Sequence, residues 1–61
     1  MNKTMYLDQL ASLLKRLPQE EREDILHDYN EHFANGLEQG ENEEHIAKLL
    51  GPPQEIAKEL L

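Results

Sequence analysis

An all-α fold, a compact bundle of four short helices, is what this chain of 61 residues predicts. Three observations carry the prediction. Leucine occurs eleven times while valine is absent, isoleucine occurs three times and threonine once, so strand formers are scarce. Apolar residues recur at helical spacing, and no segment alternates as a half-buried strand would. Pro18, Gly40 and Gly51-Pro52-Pro53 then cut the chain into segments of helical length.

The first helix is expected over residues 3–16, with Asn2 as its N-cap and an apolar stripe of Tyr6, Leu7, Leu10, Leu14 and Leu17. Lys15 and Arg16 would sit near its negative end, where the macrodipole favours them. Pro18 lacks an N–H and holds Leu17 out of the α region, so the helix stops there and a second begins. Glu20, Glu21, Glu23 and Asp24 crowd the opening turns of that second helix, the position the dipole prefers for acids. Its expected span is 19–39, with Ile25, Leu26, Tyr29, Phe33 and Leu37 facing inward. Asn35-Gly36 is an alternative stop, but Leu37 keeps the period and Gly40 is the cleaner terminator. Asn42 caps a third helix over 43–50, with Ile46, Leu49 and Leu50 on one face, and Gly51-Pro52-Pro53 ends it. The fourth helix, 53–61, echoes the third: Ile46-Ala47-Lys48 returns as Ile56-Ala57-Lys58. Two short amphipathic helices built from the same residues account for that echo without a repeat architecture.

Composition excludes several function classes. A core built from 61 residues supplies at most about 3–5 kcal/mol, too little to support an enclosed enzyme cleft with its own scaffold. There is no cysteine, hence no disulfide framework and no zinc-thiolate site, and a reducing compartment fits best. Thirteen acids against six Lys and Arg give a net charge of −7, the wrong sign for direct binding to a nucleic-acid backbone. The charge is also uneven. Residues 1–17 sum to +2, residues 18–47 carry ten acids against Arg22 for −9, and the remainder cancels. The second helix and the turn after it form an acidic pole, either a solvated face that keeps the domain soluble or a face that docks on a basic partner. No long apolar run marks a leader or a membrane span, and the pattern continues unbroken to Leu60 and Leu61, as expected of an N-terminal piece of a longer protein.

The richest polar stretch is His27-Asp28-Tyr29-Asn30-Glu31-His32. On a helix His27 neighbours Glu31, Asp28 neighbours His32, and Glu23 neighbours His27. The spacing is neither H-E-x-x-H nor H-x-x-E-H, and the two histidines, five residues apart, diverge around the helix. A metal would need His45 or a second chain, so neither a metal nor any other cofactor is expected. Ser12 and Thr4 have no histidine nearby in sequence, and no glycine-rich phosphate loop is present, so no catalytic residue is assigned. Tyr6, Tyr29 and Phe33 fall on apolar stripes and are expected in the core.

Taken in order, Tyr6-Leu7-x-x-Leu10, Leu17-Pro18-x-Glu20-Glu21-Arg22, Ile25-Leu26-x-Asp28-Tyr29-x-Glu31-His32-Phe33, Gly36-Leu37 and Leu50-Gly51-x-Pro53-x-Glu55-Ile56-Ala57 resemble the HAAS domain family of bacterial signalling proteins. The resemblance spans nearly the whole chain. It implies a small helical module at the N-terminus of membrane proteins, mainly of Gram-positive bacteria, at the cytoplasmic face of the membrane. It also implies a neighbouring PadR-like transcription regulator and a part in sensing or signal relay. Carried over by position, Asp28, Tyr29, Glu31 and His32 and the Leu50-Gly51-Pro52-Pro53 turn are the residues expected to matter beyond folding. Asp28, Glu31 and His32, with the apolar end at Leu60 and Leu61, are the expected partner-binding residues. The expected partner is a protein, with a homodimer as the other assembly and no direct contact to nucleic acid. Contact with the membrane would come only through a segment outside this sequence.

Overall fold

Asn2 starts the first helix as its sequence suggests: its backbone is extended (φ −84°, ψ 173°) and its side chain accepts the N–H of Met5 at 2.8 Å. The computed structural model describes all of residues 1–61 and resolves them into α1 (Lys3–Leu13), α2 (Gln19–Glu38), α3 (Glu43–Leu50) and α4 (Pro53–Leu60), with no strand. Helix α1 ends three residues before the expected Arg16. The N–H of Leu14 is shared between the carbonyls of Leu10 and Ala11, and that of Leu17 bonds Leu14, so the chain tightens into a three-residue-spaced turn ahead of Pro18. Lys15 and Arg16 lie in this turn rather than in the last helical turn.

Helix α2 begins directly after Pro18 and runs for 20 residues, continuing through Asn35-Gly36. Its end is a Schellman motif. Gly40, at φ +90°, bonds back to Leu37, and Glu41 bonds back to Gly36, satisfying carbonyls that the last turn leaves open. Gln39 is the C-cap, one residue past the helix, instead of its last member. Asn42 caps α3 by accepting the N–H of His45 at 2.8 Å, and α3 has the expected bounds. Pro53 opens α4, where its missing N–H costs nothing, and α4 stops at Leu60 with Leu61 as its cap.

Helix α1 packs against each of the other three helices, and α2 packs on α3 as well. The core is Tyr6, Leu10 and Leu14 from α1 and the turn after it, Phe33 from α2, Ile46 and Ala47 from α3, and Ala57 from α4. Leu17, Ile25, Leu26, Tyr29, Leu50 and Ile56 close its margins. All three aromatics expected in the core are there, Tyr29 half-buried. Three residues of the expected stripes are not: Leu7 is half-buried but lies outside the core and its margin, and Leu37 and Leu49 are exposed. Leu37 is exposed because the position that meets α3 at that level is Gly36, whose bare Cα lets Ile46 come close. Leu49 is 68% exposed, because α3 turns Ile46, Ala47 and Leu50 inward and leaves Leu49 on its flank, at the open groove beside α2. The length of α2 sets the long dimension of a molecule measuring 34 × 19 × 17 Å.

Candidate functional site

The acids of α2 are arranged more tightly than their number requires. At 100° per residue, Glu20, Asp24, Asp28, Glu31 and Glu38 fall within roughly 80° of arc, opposite Tyr29 and Phe33, on a ridge about 27 Å long. All five are exposed. Glu20–Asp24 and Asp24–Asp28 are like-charged neighbours four apart, and Asp28–Glu31 three apart, an arrangement that weakens a helix. Nothing in the fold offsets it with a strong cation. The carboxylates that meet a basic group are Glu31 with His27 (3.2 Å), Glu41 with His45 (3.0 Å), and Glu44 with the amino group of Met1; no lysine or arginine lies within 4 Å of a carboxylate. Both histidine pairs are well exposed to solvent and contribute little to stability.

Of the neighbours expected on α2, only His27 and Glu31 meet. Glu23 accepts instead from the side-chain amide of Gln19 at 3.1 Å. His32 leaves Asp28 alone and sets its ring against Tyr29 at a tilt of 41°, with centroids 5.4 Å apart. It also borders a shallow groove between α2 and α3, shared with Gly36, Ile46 and Leu49. No three histidine, aspartate or glutamate side chains converge as metal ligands. Asp28, Glu31 and His32 therefore form one surface of α2. Leu60 and Leu61 belong to another, because α4 packs on α1 and does not touch α2. Both leucines are exposed, Leu60 at the end of the stripe that seats Pro53, Ile56 and Ala57.

A second polar feature escaped the sequence reading. The hydroxyl of buried Tyr6 donates to the carbonyl of Gly51 at 2.7 Å, tying α1 to the turn before α4 across 45 residues. The Tyr6 ring is set edge-on to Phe33 at 5.5 Å and tilted against Tyr29 at 6.5 Å. Burial, and then the nearby Tyr29, push its phenol up to about 12, so the O–H stays a donor. A tyrosine on a buried stripe must find a partner for its hydroxyl, and that requirement was the available signal. The start of α1 is tied similarly: Glu43 accepts the N–H of Lys3 at 2.8 Å.

The broadest concavity, bordered by Tyr6, Gln9, Glu44, Lys48, Pro52 and Gln54, contains one carboxylate, and that carboxylate is paired with the amino group of Met1. It offers no nucleophile beside a base. A family model, HAAS, matches residues 6–59. The chain belongs to the HAAS family. HAAS domains are small modules of signalling and interaction type, and the family is not a known enzyme family. Comparison with curated proteins and with solved structures gives no match. No helix of this HAAS chain is long and apolar enough to cross a membrane.

Proposed function

We propose that this HAAS domain is a non-catalytic interaction and signal-relay module that docks through the acidic ridge of α2 on a basic protein partner. The family resemblance supplies the candidate: a PadR-like transcription regulator, with the domain held at the cytoplasmic face of a bacterial membrane protein. The observation that carries the reading is the ridge itself, five exposed carboxylates in line with no lysine or arginine against them. A regulator that binds DNA needs a basic surface for its phosphate contacts, and such a surface complements the ridge in sign. Docking would remove the like-charge repulsion along α2 by placing cations between the acids.

The test is titration of a purified PadR-like regulator with the domain at several salt concentrations, alongside a variant with Asp24, Asp28 and Glu31 all changed to Lys. Binding that weakens steeply with salt and falls at least tenfold on charge reversal supports the reading. Affinity indifferent to both salt and reversal refutes it. A structural oligomerisation domain is the second reading, favoured by exposed Leu49, Leu60 and Leu61. It requires concentration-dependent dimerisation in sedimentation that is lost when Leu60 and Leu61 become Ser.

A further inference from the structure

The four helices are not equal partners. Helices α1, α2 and α3 each pack on the other two and form a closed three-helix unit, whereas α4 rests on α1 alone. It packs closely on α1 through the small buried Pro53 and Ala57 and half-covered Ile56, but no second helix holds it. Ion pairs do not help. Glu55, Lys58 and Glu59 have no charged partner, and no side chain of α4 makes a hydrogen bond to the rest of the fold. Eight residues are also too few to persist as a helix once detached.

The connection to α4 turns on one glycine. Gly51 holds φ +91° and ψ 170°, a region essentially confined to glycine, and Pro52 and Pro53 follow it with their φ angles fixed by their rings. Rotation between α3 and α4 is thereby concentrated at Gly51. The carbonyl of that same residue receives the Tyr6 hydroxyl. Tyr6 is otherwise anchored in the three-helix unit by Phe33 and Tyr29, and Tyr29 carries His32 on its outer side, beside the α2–α3 groove.

The geometry points to α4 as a releasable arm that opens from a persisting α1–α2–α3 unit, with the Tyr6 hydroxyl on the Gly51 carbonyl as its latch. Opening uncovers the α1 face beneath Pro53 and Ala57 without disturbing the Tyr6–Phe33 contact. The aromatic line from His32 through Tyr29 to Tyr6 gives the α2–α3 groove a physical connection to the latch. This inference does not depend on the docking of α2 proposed above.

Native-state hydrogen exchange on the full chain, resolved by residue, tests it. In the unaltered protein the amides of Ala57–Leu60 exchange by an opening of lower free energy than those of Tyr29–Phe33. Tyr6→Phe keeps the ring and removes the donor; one lost hydrogen bond speeds exchange of Ala57–Leu60 about fivefold, and speeds exchange of Tyr29–Phe33 by no more than that, since global unfolding breaks the same bond. Fraying from the chain end would be indifferent to Tyr6, so acceleration of Ala57–Leu60 is the deciding result. No acceleration in α4 overturns the latch, and equal opening free energies for Ala57–Leu60 and Tyr29–Phe33 in the unaltered protein overturn the arm. Gly51→Ala provides a second probe outside the core: its Cβ meets no atom within 4 Å, so any effect comes from the backbone angle. It too must speed exchange of Ala57–Leu60; an unchanged rate there overturns the pivot at Gly51.

Discussion

Gly36→Ala sets two known effects against each other at one position. In a helix interior the change is favourable by about 0.5–1 kcal/mol, because glycine loses more backbone freedom on folding than alanine. Here, however, a Cβ at position 36 would lie 2.5 Å from Cδ1 and 2.7 Å from Cγ1 of Ile46, where carbon atoms need roughly 3.5–4.0 Å. Ile46 is buried in the core and cannot move by about 1 Å without disturbing its neighbours. Overpacking of this kind costs about 1–3 kcal/mol, so the clash wins and the variant loses up to about 2 kcal/mol net. For a domain of this size each kcal/mol lowers the melting midpoint by about 4–8 °C. Urea unfolding followed by helical circular dichroism measures the difference, and Ile46→Val, which deletes the nearer carbon, supplies the control. In that background the penalty must shrink. A Gly36→Ala variant more stable than the parent, or a penalty unchanged by Ile46→Val, would refute the argument that Gly36 exists to admit α3.

Asn42→Ala removes the side-chain acceptor for His45 N–H and should cost about 1 kcal/mol, whereas Asn42→Asp should restore most of it, both read from urea midpoints. Phe33→Ala deletes a fully buried ring at a cost of about 3–5 kcal/mol, comparable to the whole stability expected at this size, so helical ellipticity at 25 °C should collapse. Tyr6 gives a pH signature. Its folded value of about 12 lies above the ordinary 10, so its contribution is complete below pH 10 and is lost as pH rises toward 12. The parent loses about 2–3 kcal/mol over that interval and Tyr6→Phe does not, so the stability difference between them should narrow and then change sign.

The helices were legible because their signals are local. Asn2 and Asn42 both cap through their side chains, Pro18 and Pro53 stand at helix starts, and α3 has the bounds its cap and Gly51 dictate. The errors arose where distant packing decides. Nothing within a few residues of Gly36 reveals that Ile46 presses on it, so Leu37 looked inward by period alone. The end of α1 was misplaced because Pro18 acts further back than the residue before it, through a whole tightened turn. At the candidate site the pairing of His27 with Glu31 followed from spacing, but the distance between the α2 acids and the terminal leucines did not, since it depends on which helices touch. The link from Tyr6 to Gly51 joins residues 45 apart, beyond the reach of any window along the chain.

The central place of α1 also constrains how the chain comes into being. Helical domains usually complete themselves through neighbours in sequence, yet here the first helix has partners in the last two, some 40 residues later. During synthesis, Tyr6, Leu10 and Leu14 emerge from the ribosome well before Ile46, and Ala57 comes later still. The nascent N-terminal helix thus has only α2 to cover its apolar face, for several seconds at roughly 5–20 residues per second. During that interval α1 is the part of the molecule most open to a chaperone.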